Sequence, residues 1–182
     1  MPKILAICDQ IITNSEIGIF LLKSIITKKI QNKVLKSIYN LVKKISKIFL
    51  LKGINNLDLI IQGKKVFLLE VNPRPGLSTN ILNSIHKNLF EIKGPKNKTA
   101  FNGYYSSTVI YARKEIKINN KKKLFLKKIS HSNQFSELPN LGDIIKVDEP
   151  ICLLHLKSKN RIFLKNKIEK IQSNFLKKIE ET

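Results

Sequence analysis

Two carboxylates and an amide stand at positions where they could hold a metal ion. Asp58 lies in one short apolar run, Glu70 and Asn72 lie in the next, and Gln62-Gly63-Lys64-Lys65 separates the runs. Apolar runs on either side of a short polar segment with a glycine are typical of a β-hairpin. Because side chains alternate across a strand, Glu70 and Asn72 share one face. The sequence therefore predicts that three oxygen-bearing side chains converge on a hairpin.

The predicted arrangement depends on the loop of that hairpin. A three-residue loop centred on Lys64 places Asp58 directly opposite Glu70, with Cβ atoms about 4.5 to 5.5 Å apart. Two carboxylates at that distance repel each other, so they need a proton, a lysine or a divalent cation. A set of oxygen ligands without His or Cys favours Mg²⁺ over zinc. The alternative is an ordinary hairpin in which Asp58 and Asn72 are turn and cap residues, which leaves Glu70 unexplained within an apolar run.

The motif around Glu70 resembles a known family. Glu70-Val71-Asn72-Pro73-Arg74-Pro75-Gly76, with Asp58 upstream, is similar to the C-terminal half of the ATP-grasp domain, which occurs in carboxylate-amine ligases. The resemblance implies that Asp58, Glu70 and Asn72 bind the cofactor ATP through Mg²⁺, or through Mn²⁺ in its place. It also implies a catalytic position for Arg74, near the phosphates or the substrate carboxylate.

The reaction implied by the resemblance joins a small carboxylate substrate to an amine through an acyl phosphate. Complete ATP-grasp enzymes also carry a glycine-rich loop over the phosphates, whereas Gly18 is the single glycine before Gly53 here. We therefore expect residues 1–98, with the motif at 53–80, to form only the C-terminal lobe of a split or truncated ligase. A second chain would supply the N-terminal lobe, and whether this chain is an enzyme by itself stays open.

The remaining pattern predicts an α+β fold with a mostly antiparallel sheet and packing helices. An amphipathic helix is predicted over residues 32–49, with Gly53 as its stop. Residues 99–182 are predicted to form a small β-rich extension with a terminal helix, and the sheet of the lobe is expected to continue to about residue 115. Further predicted elements are a strand at 3–8 that suggests a preceding segment, a loop at 9–16, a helix at 79–91, a boundary loop at 94–99, a strand at 124–129 and a helix at 166–181.

The strong positive charge of the chain suggests a different class of function. The net charge is +21, with 34 basic residues among 182. A basic module that binds nucleic acid or an anionic surface on an ATP-grasp-like scaffold is therefore the alternative. Arginine, which favours bidentate phosphate and base contacts, occurs only at Arg74, Arg113 and Arg161. Nucleic acid is consequently not expected as the main partner.

Cysteine and hydropathy patterns predict an ordinary reduced protein. Cys8 and Cys152 are far apart and fit no metal-binding spacing, so both are expected to be buried free thiols. His131 and His155 are too distant in sequence to indicate a joint site. The most apolar early run, Ile17 to Ile26, contains Lys23 and is too short to cross a bilayer. We expect a cytoplasmic protein.

Overall fold

The computed structural model describes residues 1–14, 20–85 and 103–181. Within these ranges the chain is α+β, as predicted, and its sheets are mostly antiparallel. The helices are α1 (Asn32–Ile48), α2 (Ser78–Ile85), α3 (Asn120–Ser130) and α4 (Arg161–Glu181). The strands are β1 (Cys8–Asn14), β2 (Phe20–Thr27), β3 (Asn56–Gln62), β4 (Lys65–Asn72), β5 (Tyr104–Tyr111), β6 (Ile116–Lys117), β7 (Phe135–Ser136), β8 (Ile144–Ile145) and β9 (Pro150–Ser158).

The described residues divide into two compact units. The first, the hairpin unit, comprises residues 1–8 and 27–85 and contains α1, β3, β4 and α2. The second, the sheet unit, comprises residues 9–14, 20–26 and 103–181. The early residues join the sheet unit because β2 pairs with β5, for instance Ile25 with Ser107. The predicted boundary between residues 98 and 99, like the loop at 94–99, lies outside the described residues and stays a prediction.

Helix α1 confirms the amphipathic prediction and supports the hairpin. Val34, Ile38 and Ile45 are buried, and α1 contacts β4. Residues four or seven positions apart fall on one side of a helix, so this side is the apolar one. The helix ends before the predicted stop, at Ile48, where Phe49 is the C-cap and Leu50 follows in the left-handed conformation with φ of +49°. The prediction of Gly53 as the stop is therefore wrong, and Gly53, with φ of +69°, lies in the segment between the helix and β3.

The sheet unit is built on five strands in the order β1-β2-β5-β9-β7. Helix α4 confirms the predicted terminal helix, although it begins earlier than residue 166. Its start is explained by Asn160, whose Oδ1 accepts hydrogen bonds from the amides of Ile162 at 2.7 Å and Phe163 at 3.3 Å. The buried side of α4 contributes Leu164, Ile168, Phe175, Leu176 and Ile179 to the core.

The predicted strand at 3–8 is wrong over residues 3–7, and the predicted loop at 9–16 is wrong over residues 9–14, while residues 15 and 16 lie outside the described residues. Residues 1–7 contain no strand, and β1 begins at Cys8. Polar residues are accepted in β1 because the carboxylate of Asp9 forms an ion pair with the guanidinium of Arg161 and the side chain of Gln10 is exposed.

The predicted strand at 124–129 is also wrong, because α3 covers those residues. Asn119 caps this helix, its Oδ1 accepting from the amide of Lys122 at 2.9 Å. Leu126 is buried, while Leu124 is exposed. The helix predicted at 79–91 is confirmed over α2, and its later part lies outside the described residues. None of the helices in the described ranges combines the length and the apolar composition that crossing a membrane requires.

Candidate functional site

The hairpin is confirmed, but its turn is shorter than predicted. Gln62 pairs with Lys65, so only Gly63 and Lys64 form the turn. Gly63 has a φ of +59°, and two-residue hairpin turns of this kind favour glycine because they need positive φ. Compared with a three-residue turn, a two-residue turn shifts the pairing of the two strands by one residue. With this shift alone, Asp58 would not lie opposite Glu70.

A β-bulge restores the pairing. The ladder runs regularly from the turn to Leu59 opposite Leu68, then shifts, so that Asp58 lies opposite Glu70 and Leu69 is the extra residue. Without the shift, Asp58 would face Leu69, and Glu70 would face Leu57 on the other side of the hairpin. The bulge therefore brings Glu70 onto the face of Asp58.

That face also carries two amides at the end of the hairpin away from the turn. Asn72 lies opposite Asn56, and both share the face of Asp58 by strand alternation. Asp58, Asn72 and Asn56 are partly buried, whereas Glu70 is exposed. The structure thus places all three predicted ligand residues on one face, and it adds Asn56.

Asn56 and Ser78 connect this face to the start of α2. The Nδ2 of Asn56 donates to Oδ1 of Asp58 at 3.1 Å, and the hydroxyl of Ser78 donates to Oδ1 of Asn56 at 3.0 Å. Sequence reasoning missed both Asn56 and Ser78 as site residues. The available signal for Asn56 was its position two residues before Asp58, which puts both side chains on one face.

Gly76, within the motif, lies directly against Asn56. A Cβ built on Gly76 would stand 3.2 Å from Cγ and 3.3 Å from Cβ of Asn56. These distances are shorter than ordinary van der Waals contacts, so a side chain at Gly76 would displace Asn56 or the loop. The glycine of the motif therefore leaves the space that Asn56 occupies.

Arg74 follows β4 and is exposed. Its Nη1 lies 3.5 Å from the carbonyl oxygen of Pro75, which is the limit of a hydrogen bond. Among the described residues no ion pair joins Arg74 to Asp58 or Glu70. The predicted catalytic role of Arg74 stays a prediction.

The donor chemistry of the face fits Mg²⁺. Asp58 and Glu70 are acceptors when ionised, and the amide oxygen of Asn72 is neutral, which gives a set of hard oxygen ligands. In the described part of the chain, no cluster of three or more His, Cys, Asp or Glu side chains forms a self-contained metal site. A set of two carboxylates and an amide suits an ion that takes its remaining ligands from water or phosphate.

The sheet unit contains a second group of polar side chains, around His155. Its Nε2 lies 2.7 Å from the hydroxyl oxygen of Ser136, while its Nδ1 is buried without a hydrogen-bond partner. Burial lowers the pKa of His155, and the charge of Glu137 opposes that shift. His155 therefore lies within the sheet of the sheet unit, held by Ser136.

Neither cysteine forms a disulfide, in agreement with the prediction of thiols, but only Cys152 is buried. Burial, together with the charge of Glu137, raises the pKa of the Cys152 thiol to about 12. Cys8 is only partly buried at the start of the edge strand β1, so the expectation of two buried thiols is wrong for Cys8.

Comparisons with known proteins agree with the motif. A family model described as an ATP-grasp domain matches residues 1–78. The chain also resembles the crystal structure of phosphoribosylglycinamide synthetase from Anaerococcus prevotii, with a TM-score of 0.65 and 17% identity over 92% of this chain. This chain spans about half of that structure, 47% of its length. No curated protein sequence matches. The ATP-grasp family model thus matches the first part of the chain, and the likeness to the solved structure shows a shared fold.

Proposed function

We propose that the chain is the C-terminal lobe of an ATP-grasp ligase and supplies the metal-binding side of its active site. The observation that carries this proposal is the pairing of Asp58 with Glu70 across a bulge, with Asn72 on the same face. Two carboxylates in direct opposition are unfavourable unless a cation or proton lies between them. A bound nucleotide with its metal would relieve that repulsion.

The proposed reaction activates a carboxylate and then forms an amide. A carboxylate oxygen of the substrate attacks the γ-phosphorus of ATP, a new P–O bond forms, and the bond to the ADP oxygen breaks. The amine nitrogen then attacks the acyl carbon, phosphate leaves, and the nitrogen loses a proton. Mg²⁺ neutralises the phosphate charge in such transfers.

The residues of this chain would position and hold rather than exchange protons. Asp58 and Glu70 contribute negative charge for Mg²⁺, and Asn72 contributes a neutral oxygen ligand. Arg74 follows the motif directly and carries the cation that would steady charge on the phosphoryl or acyl oxygen. These groups are assigned to the metal and the phosphates and leave adenine without a binding residue, so a second chain with the N-terminal lobe would complete the nucleotide site.

The test compares the chain alone with the chain and its partner. Isothermal titration of the purified chain with ATP and Mg²⁺ is expected to show weak binding or none. Co-purification with the product of a neighbouring reading frame that encodes a glycine-rich loop is expected to create tight binding. In that assembly, Asp58→Asn and Glu70→Gln should abolish binding of the metal–nucleotide complex.

Two outcomes would contradict the proposal in different ways. Tight ATP binding with turnover by the isolated chain would refute the divided active site and indicate a minimal complete enzyme. Salt-sensitive binding to polyanions that persists in both substituted proteins would indicate a basic binding module instead.

A further inference from the structure

The orientation of the Asn56 amide follows from its two neighbours. The carboxylate of Asp58 accepts hydrogen bonds when ionised, so the NH₂ group of Asn56 must face it. The carbonyl oxygen of that amide then faces Ser78, whose hydroxyl can donate. The two hydrogen bonds therefore run in one direction: Ser78 donates to Asn56, and Asn56 donates to Asp58.

The two ends of this series of hydrogen bonds belong to different elements of secondary structure. Asn56 and Asp58 lie in β3, and Ser78 is the first residue of α2. The hydrogen bond between Ser78 and Asn56, which are 22 residues apart in sequence, therefore links the strand to the helix. Gly76 packs against the Asn56 side chain, because a Cβ built on Gly76 would stand 3.2 Å from Cγ of Asn56. The Asn56 side chain is thus held by a hydrogen bond on one side and by packing on another.

We propose that Asn56 is a positioning residue for Asp58, and that Ser78 and Gly76 hold Asn56 in the orientation this requires. The inference rests on the proposed function, because it assigns Asp58 a metal-binding role. The amide hydrogen bond holds the carboxylate plane of Asp58 towards the face that it shares with Glu70. Partners that orient metal ligands typically change metal affinity by about 10- to 100-fold when they are removed.

A purely structural role for the same contacts predicts something different. If Asn56 and Ser78 only fasten α2 to β3, their loss should loosen the helix but leave the Asp58 side chain in one rotamer. A positioning role predicts that the χ1 angle of Asp58 becomes averaged, whether or not metal is present. The rotamer of Asp58 therefore separates the two roles.

The experiment uses the full chain and four variants. Asn56→Ala and Ser78→Ala remove the positioning contacts, whereas Ser78→Thr keeps the hydroxyl. Ser84→Ala is the matched control, since Ser84 donates only within α2, to the carbonyl of Asn80 at 3.1 Å. Three-bond NMR couplings to Cγ of Asp58 report its rotamer, and Mn²⁺ titration reports metal affinity through broadening of the β3 and β4 amide signals.

The expected results differ between variants. Asn56→Ala should average the Asp58 couplings and raise the Mn²⁺ concentration for half-broadening about tenfold. Ser78→Ala should act in the same direction by a smaller factor, while Ser78→Thr and Ser84→Ala should match the natural chain. If Asn56→Ala does not fold, the comparison of Ser78→Ala with Ser78→Thr decides the question.

The outcomes that overturn this inference are distinct from those that overturn the proposed function. If the Asp58 couplings in both Asn56→Ala and Ser78→Ala equal those of the natural chain, the positioning role is refuted. Absence of Mn²⁺ broadening around Asp58 and Glu70 both in the natural chain and in its assembly with the N-terminal lobe and ATP would refute the metal role, while the couplings would still decide whether Asn56 orients Asp58.

Discussion

Asp58 lies directly opposite Glu70 because Leu69 forms a bulge that offsets the two-residue turn. The turn is one residue shorter than predicted and the bulge adds one residue, so the two differences cancel at Asp58 and Glu70. A three-residue loop therefore predicts the correct pair although the turn itself is different. The bulge also leaves Leu69 exposed, with 63% of its surface accessible. The opposition of the carboxylates is therefore a property of the register and does not depend on Leu69 packing in a core.

Removing one of the two charges should stabilise the metal-free hairpin. Glu70 is exposed and directly opposite Asp58, and like charges in such pairs are unfavourable by about 0.2 to 1 kcal/mol. Glu70→Gln should therefore slow amide hydrogen exchange in β3 and β4 while weakening Mn²⁺ binding. Glu115→Gln, at another exposed acid, is the control and should change neither. Faster exchange in the Glu70 variant would show that Glu70 has a structural role.

Deleting Leu69 should preserve the pairing of the carboxylates. The deletion removes the extra residue, so Leu59 still faces Leu68 and Asp58 still faces Glu70 in a now regular ladder. We expect cross-strand nuclear Overhauser effects to show the same neighbours and Mn²⁺ affinity to change less than threefold. A new register, with Glu70 moved to the opposite face, would contradict this interpretation of the bulge.

Alanine substitutions at two glycines should affect different properties, stability at Gly63 and metal affinity at Gly76. Gly63 has a φ of +59° with open space around it, so Gly63→Ala should cost about 1 kcal/mol through backbone strain without changing Mn²⁺ affinity. Gly76 has no positive φ but lies against Asn56, so Gly76→Ala should weaken Mn²⁺ binding by displacing that side chain. Urea unfolding and Mn²⁺ titration measure the two effects. Equal metal affinities in the two variants would argue against the role of Gly76.

Stability should fall in mild acid because of His155. Burial lowers the pKa of His155 in the folded protein. As pH falls through the ordinary histidine pKa of about 6.5, the unfolded chain takes up a proton that the folded chain resists, so folding loses stability. The loss continues until pH passes the lowered pKa. Urea unfolding of the natural chain between pH 7 and 5 should therefore show a steeper loss than His155→Asn, and equal slopes would contradict this.

The two thiols should react at different rates. Cys152 is 2% exposed, and its pKa is raised to about 12, so little thiolate forms at pH 8. Cys8 is partly buried at a sheet edge and should react with iodoacetamide first. Mass spectrometry of the modified peptides measures both rates, with the chain in guanidinium as the control in which both react. Faster labelling of Cys152 in the folded chain would show that β9 is not buried as described.

The hairpin and its polar face could be predicted because they depend on local alternation. Side-chain period, a glycine turn and a charged residue in an apolar run are all visible within one short segment. The terminal helix and α1 were predictable for the same reason, since each repeats an apolar face over several turns.

The parts that failed depend on long-range contacts or on competing local signals. Nothing near Asn56 in sequence indicates Ser78, because that contact exists only once α2 folds back beside β3. In α3, the apolar triplet Leu124-Phe125-Leu126 resembles a strand, and only the Asn119 cap together with packing of Phe125 near Phe175, at 5.8 Å between ring centroids, reveals a helix. The bulge was equally hidden, since Leu68 and Leu69 are identical neighbours.

The bulge also changes how this hairpin should be aligned with relatives of different length. The interval between Asp58 and Glu70 is the sum of a short turn and one extra strand residue, so a hairpin with a longer turn and no bulge has the same interval. A gap-free alignment of the two would match every residue between the carboxylates by number, yet Phe67 and Leu68 would be compared with residues on the opposite face. Two compensating gaps, one in the turn and one at Leu69, give the alignment that is correct in space.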